Sequence, residues 1–302
     1  MPHEKLKEEY LLTLHNVYKS YGEKVILDDI DLLVKDGTFL SVVGPSGCGK
    51  STFLRLVLGQ EQATDGHFFL DKKRIGFPNT ERGIVYQKYS LYPHLTVLKN
   101  VILSQSLRMG FFERRRKKKD IIDEAMHYLG EVHLAEHAGK YPHELSGGMR
   151  QRVAIVQALI AKPKILLMDE PFGALDPGTR EHLQLFLLKL WKEHNMTIFF
   201  VTHDLEEAVF LGTRLIVFSQ FFSDGRGFGG AVNRGARIVV DHDLEEATSA
   251  EVKGSEKFAK LIMQIRKEGF DKDYLQHATE FSLTSNDAFQ TLTDEEKRPL
   301  EG

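Results

Sequence analysis

Nine consecutive residues, Gly44, Pro45, Ser46, Gly47, Cys48, Gly49, Lys50, Ser51 and Thr52, carry the pattern that narrows the chemistry most. Glycines at 44, 47 and 49 free backbone amides to wrap a polyphosphate, and a helix starting behind them adds the positive end of its dipole. Lys50 can reach the β- and γ-phosphates, Ser51 can ligate Mg²⁺, and Thr52 can touch the α-phosphate. Composition alone yields such a pattern in about one chain in a hundred of this length, so the competing reading is a glycine-rich turn without a ligand and the context decides. Cys48 reads as a small filler of the loop. As the sole cysteine it can form no internal disulfide, which agrees with a reducing compartment.

Two more strings bear on the same chemistry. In ILLMDE, an apolar strand ends in two carboxylates: Asp169 would stand at the carboxyl edge of a sheet where a Mg²⁺ partner is needed, and Glu170 could polarise an attacking water. By itself this string reads equally well as a solvated strand end. LSGGMRQR, Leu145 to Arg152, is far rarer by composition, about one chain in ten thousand. Ser146 suits an N-cap, and Gly147 and Gly148 expose amides at the start of the helix MRQRVAIVQALI, giving a second anion site. One chain cannot easily bring both sites to one nucleotide. Two chains about a twofold axis can, each offering Ser146 to the other's ATP.

The elements that must position these residues follow from apolar patterning. Residues 12 to 20 and 25 to 43 read as strands, the second ending in FLSVV; the glycine loop comes next, then a helix through Phe53, Leu54, Leu56, Val57 and Leu58 that Gly59 ends. A second strand, turn and helix unit runs from Ile165 to Met168 through DEPFGALD into HLQLFLLKLW. A third runs from Ile198 to Val201 through THD into LEEAVFLG. Strands alternating with helices predict a parallel sheet covered on both faces. Residues about 95 to 160 show helical periodicity and predict a helical insert. After Ser219 come a glycine-rich loop, a strand at RIVV and an amphipathic helix from Val252 to Phe270, with Phe258, Leu261, Ile262 and Ile265 on one face. The last 20 or so residues are polar and are expected to be disordered. HDLEEA occurs twice, at His203 to Ala208 and His242 to Ala247, which reads as coincidence. The glycines from Gly225 to Gly230 lack the strand and helix order of a dinucleotide site and read as a loop.

Composition excludes several classes. With 42% hydrophobic and 27% charged residues the chain is globular, and 40 basic against 43 acidic residues, net −3, is too even for a general nucleic-acid or membrane binder. No run of apolar residues approaches the length of a membrane helix, and MPHEKLKEEY lacks the apolar core of a signal peptide. One local exception is the unbroken basic run Arg114 to Lys119. It reads first as a solvated helix start, although against an acidic leaflet each such residue adds about 1 kcal/mol.

With these motifs in this order, residues about 10 to 220 resemble the ATPase subunits of ATP-binding cassette (ABC) transporters. The resemblance implies an α/β P-loop NTPase fold with a mixed, largely parallel core sheet, an N-terminal antiparallel β subdomain and an inserted helical subdomain. It makes GPSGCGKS the Walker A loop, LSGGM the signature, ILLMDE Walker B, ALD with Asp176 the D-loop and His203 the switch histidine. Tyr21, in KSYG, matches the aromatic that stacks on adenine; a core aromatic of a strand is the competing reading. Gln87, in IVYQ, matches the glutamine that senses the γ-phosphate, assists the Mg²⁺ and meets the membrane subunits. Gln157 stands where the family usually has Arg, and Lys88 crowds Gln87; both departures bear on coupling to the membrane partner.

GPSGCGKST, DEPFGALD and FVTHDLEEAV look most like importers for nitrate, sulfonates or taurine. The implied protein is an ATP-hydrolysing homodimer on the cytoplasmic side of the membrane, with permease subunits and a periplasmic or extracellular binding protein as partners and no nucleic acid. An exporter or lipid-transport ATPase is the alternative, and a soluble cassette ATPase fits less well because only 102 residues separate Gly44 from Ser146 and a single cassette is present. Residues 221 to 302 read as an extension of unassigned role.

Overall fold

The computed structural model describes residues 10–88, 90–107, 109–246, 250–273, 275–278 and 291–292. Its contacts divide the chain into two units, one holding the residues up to Pro78 and from Phe199 onward, the other Asn79–Ile198.

In the first unit, β1 (Leu12–Tyr21) and β2 (Lys24–Val34) pair antiparallel, and β1 also pairs antiparallel with β4 (Asp65–Leu70), whose other neighbour is β5 (Lys73–Arg74). β1 buries Leu12, Leu14 and Val17, the last beyond a register shift that interrupts the strand's alternation after Leu14. β3 (Phe39–Val43) is buried at every position, as its unbroken apolar run requires, and runs parallel to β9 (Arg214–Ser219), with Val42 opposite Ile216. β12 (Arg237–Asp243) continues that sheet antiparallel to β9. The sheet is therefore mixed.

Helix α1 (Lys50–Leu58) leaves the glycine loop, buries Phe53, Leu54, Leu56 and Val57, and stops at Gly59 in the left-handed conformation. Phe53 packs against Phe199 and Phe218, with ring centroids 6.1 and 5.3 Å away. α7 (Leu205–Leu211) follows β8 (Thr197–Val201) through a turn capped by Asp204, whose carboxylate accepts from the Glu206 and Glu207 amides at 2.9 and 3.3 Å.

Residues beyond 220 enter the same unit. β10 (Phe222–Asp224) pairs antiparallel with β11 (Gly227–Phe228) and parallel with β13 (Gln276–Ala278), which pairs with β14 (Thr291–Leu292). Helix α8 (Glu256–Phe270) is capped by Ser255 and buries Phe258 and Ile265, with Leu261 and Ile262 half-buried. Gly269 lies so close to β9 that a Cβ there would meet Val217 at 2.5 Å. The strand expected at RIVV is the first half of β12. Apart from Thr291–Leu292, the polar tail expected to be disordered lies outside the described residues, as does most of MPHEKLKEEY.

In the second unit, β6 (Arg82–Val85) runs parallel to β7 (Ile165–Asp169), with Val85 opposite Met168. Among the described residues five α-helices accompany them: α2 (Val97–Ser106), α3 (Phe111–Arg116), α4 (Lys118–Glu131), α5 (Gly147–Leu159) and α6 (Pro177–His194). The insert expected at about 95 to 160 falls inside this unit. Asn100, fully buried on α2, fastens the proline-bearing loop before it: its amide donates to the Tyr92, Leu95 and Thr96 carbonyls at 3.0–3.2 Å and its oxygen accepts from the Tyr92 amide at 2.8 Å.

Candidate functional site

The glycine loop takes conformations that only glycine adopts cheaply. Gly44, Gly47 and Gly49 have φ of +148°, +80° and +91°. A Cβ on Gly44 would lie 2.1 Å from the Phe218 carbonyl oxygen, and one on Gly49 would lie 2.8 Å from both Ile26 and Leu27. Gly47, by contrast, faces open space. Helix α1 therefore begins with Gly49 as an N-cap that supplies no side-chain acceptor, and its first turn carries no acid. That leaves a helix start whose amides and dipole suit an anion.

Lys50 is buried along the loop, its ammonium 2.7 Å from the Gly44 carbonyl and 2.9 Å from that of Pro45. Thr52 is buried and Ser51 half-buried, while Ser46 stands on the exposed side of the loop. Burial pushes the Cys48 thiol up despite Lys50 nearby, so Cys48 stays protonated and fills space.

Tyr21 ends β1 with its ring 45% exposed, so it is not a core aromatic. Its hydroxyl donates to Glu61, which also pairs with Lys19 at 3.0 Å and with Arg55 of α1 at 3.4 Å. His203 is exposed in the turn after β8. That turn is fixed by Thr202, whose amide donates to the Val42 carbonyl at 3.3 Å and whose hydroxyl donates to Glu207 at 2.9 Å. In the first unit the backbone thus brings the turn carrying His203 beside β3, the strand that feeds the glycine loop.

In the second unit the parallel register explains the main contact. Val85 and Met168 are opposite one another, so Gln87 and Glu170, each two residues further on, emerge at the same edge. Gln87 Nε2 donates to Glu170 Oε2 at 2.9 Å, a bond that uses the amide's donor and not its acceptor oxygen. Asp169 closes β7 and is half-buried. Glu170 has φ +48°, a left-handed conformation that turns the chain sharply after the strand.

Ser146 is the N-cap of α5: its hydroxyl oxygen accepts from the Met149 amide at 3.3 Å and its proton remains to be donated. A Cβ on Gly147 would meet nothing, and one on Gly148 would sit 3.3 Å from the Ala174 carbonyl. Like α1, α5 has no acid in its first turn. Asp176 is the N-cap of α6, accepting from the Thr179 amide at 3.0 Å, and that bond holds its carboxyl below the usual aspartate range.

One contributor is absent from the sequence reading. Gln151, fully buried on α5, donates from Nε2 to the Tyr86 carbonyl at 3.4 Å and so ties the signature helix to the residue before Gln87. Its signal is an amide on the apolar face of an amphipathic helix. Of the two departures from the family pattern, Lys88 is exposed, and Gln157 accepts from the Ser104 hydroxyl at 2.7 Å through its backbone carbonyl only.

The ABC transporter family model matches residues 27–173. An uncharacterised ABC transporter ATP-binding protein of Methanocaldococcus jannaschii is 45% identical over 214 residues, 70% of this chain and 77% of its own length. The chain belongs to the ABC transporter ATP-binding family. The aliphatic sulfonates import ATP-binding protein SsuB of Bacillus anthracis is 41% identical over 202 residues, 67% of this chain and 77% of that one. Among solved structures, the dimeric post-hydrolysis state of the ATP-binding cassette MJ0796, bound to ADP and Pi, covers 78% of this chain and 99% of its own with a TM-score of 0.63 and 32% identity. This ABC ATPase therefore has the P-loop NTPase fold, with its mixed, largely parallel sheet. Among its described residues no helix is long and apolar enough to cross a membrane.

Proposed function

We propose that this chain is the ATP-hydrolysing subunit of a membrane importer for nitrate, a sulfonate, taurine or a similar small solute. The observation that carries the reading is the pair of helix starts, α1 and α5, each opened by glycine backbone and each free of acid in its first turn. Together they suit the two faces of a bound triphosphate: Gly44 to Thr52 wraps it from one chain, and Ser146 to Gly148 meets it from a second copy. The sulfonate importer relative supports the direction of transport.

The roles follow from chemistry. The ring of Tyr21, a partly exposed residue with the Lys19 ammonium 4.8 Å from the ring centroid, is the surface proposed to stack on adenine. Lys50 exchanges the carbonyls of its own loop for phosphate oxygens. Ser51, Asp169 and the amide oxygen of Gln87 are each the kind of hard oxygen donor that would hold Mg²⁺, and that ion would neutralise phosphate charge. With one carboxylate among these donors, a metal here would rely on phosphate oxygens as well. Glu170, oriented by Gln87, accepts the proton of the attacking water; His203 donates to the γ-phosphate; Asp176 lies in the D-loop and contributes to the dimer contact. Beside Gln87, a groove of about 270 Å³ lined by Tyr86, Tyr92, Ser104 and Gln157 offers a seat for a segment of the permease. The subunit then works from the cytoplasmic face, with a solute-binding protein on the other side.

The test is nucleotide binding by the purified chain with and without Lys50→Ala. The parent binds and hydrolyses MgATP, and the variant, having lost the ammonium beside the amide cradle, does not bind it. Unchanged ATP affinity in the variant overturns the assignment.

A further inference from the structure

The basic run Arg114 to Lys119 lies in a chain whose net charge is −3. It spans the last turn of α3 and the first of α4. Lys117 is neutralised by Glu113 at 2.8 Å. Arg114, Arg115 and Lys118 make no ion pair among the described residues and instead line one pocket of about 280 Å³. The same pocket is lined by Ile102 on α2 and by Ile121 and Ile122 on α4. Beside the run, Phe112 is 86% exposed.

Three cations without carboxylate partners call for an anion. The isoleucines select among anions, because a free phosphate has no use for apolar surface, whereas an amphiphile places its charge on the guanidinium groups and its hydrocarbon on the isoleucines. An exposed aromatic next to a polybasic segment is the further mark of a surface that meets the interfacial layer of a bilayer. Net charge cannot supply the attraction, since a chain of −3 is repelled by an acidic surface as a whole; the attraction must be local to this corner.

We propose that the α3–α4 corner binds acidic phospholipid at a bilayer surface, with Arg114, Arg115 and Lys118 around the headgroup phosphate and Phe112 set among the glycerol and upper acyl groups. This goes beyond the ATPase reading and is independent of it, because the contact needs no nucleotide and lies on residues with no role at the phosphate sites.

The full chain is floated with vesicles of phosphatidylcholine alone and of phosphatidylcholine mixed with an equal amount of phosphatidylglycerol, without nucleotide. The parent floats with the acidic vesicles only and is released as salt is raised. Each cation near the surface is worth about fivefold, so Arg114→Gln, Arg115→Gln and Lys118→Gln together lower partitioning about a hundredfold. Phe112→Ser lowers it about tenfold while keeping the salt dependence. Lys72→Gln, Lys73→Gln and Arg74→Gln, which remove the same charge from the exposed β4–β5 hairpin, leave it unchanged.

Equal binding to neutral vesicles overturns the proposal, as does retention of binding by the first triple variant or at high salt. So does a loss as large in the hairpin variant. Release by millimolar inorganic phosphate at constant ionic strength also overturns it, in favour of a soluble anion site. Melting temperatures confirm that the variants fold, and the salt and lipid dependence of the parent decides the matter even if one does not.

Discussion

Asp224 accepts hydrogen bonds from Arg226, Arg234 and Arg237 at 3.0, 2.8 and 2.9 Å, and Asp28 on β2 faces two of the same guanidinium groups. Burial opposes the Asp224 charge, but the bonds from Arg234 and Arg226 outweigh it and hold the carboxyl well below the usual aspartate range. A group whose folded pKa is depressed stabilises the fold above its unfolded pKa and loses that contribution as pH falls. Asp224→Asn is therefore expected to cost about 2 kcal/mol near neutrality, because it leaves charged donors facing an amide. The gap in melting temperature between parent and variant should narrow from about pH 4 downward, where the unfolded chain's carboxyl takes up a proton while the folded one still resists it. A gap independent of pH would show that packing against Phe222, rather than charge, holds the cluster.

None of this network was legible in the sequence, since Asp28 and Arg234 are distant in the chain and nothing in their neighbourhoods marks them as partners. The glycine loop was legible because its residue types are dictated locally, by φ and by the need for bare amides. Gln87 was reached only through family resemblance; its bond to Glu170 depends on the register of two strands that sequence spacing does not give.

Elements divide in the same way. The buried apolar runs became β3, β7 and β8, and the caps at Ser146 and Asp204 start helices as their residue types direct. The two copies of HDLEEA differ because their contexts differ. The first follows β8 and is capped into α7, whereas in the second His242 and Asp243 are still paired in β12 opposite Leu215 and Arg214. The boundary at 220 falls between β9 and β12, two strands of one sheet. Truncation after Gln220 would remove β12, expose the edge of β9 and strip Asp28 of its arginines, so that product should be insoluble or molten by near-ultraviolet circular dichroism. Truncation after Asp273 keeps those elements and should melt close to the parent; if the shorter product is equally well folded, β12 and α8 are an appendage.

α8 offers a second test. His242 Nε2 lies 3.2 Å from Glu268, and that bond raises the imidazole pKa although burial opposes the charge. The contribution is complete below the ordinary histidine range, about 6.5, and is lost as pH rises through the folded value. Amide exchange in α8, corrected for its chemical rate, should quicken above neutrality in the parent and not in His242→Gln.

At the scale of the whole molecule, the question is whether one chain suffices. Each chain holds an acid-free helix start at its glycine loop and another at Ser146, and the proposed reaction needs one of each from different copies. Glu170→Gln separates assembly from turnover. The carboxylate that would take a proton from water becomes an amide that cannot, a loss of about 10²- to 10⁴-fold in rate. The shape changes little: the amide oxygen can still accept from Gln87 Nε2 as the carboxylate does at 2.9 Å, so the edge that carries both residues should keep its geometry. The glycine loop is untouched, and Ser146 still has a hydroxyl proton to donate. Binding without hydrolysis should accumulate the two-chain state, which would elute as a dimer with MgATP and as a monomer with ADP in size-exclusion chromatography. Ser146→Arg in the same background should return it to monomer by placing a bulky side chain at the start of α5 while leaving each chain's own loop intact. A Glu170→Gln protein that stays monomeric with MgATP, or turns over as fast as the parent, would separate the two helix starts from any shared nucleotide and leave the signature without the role given to it.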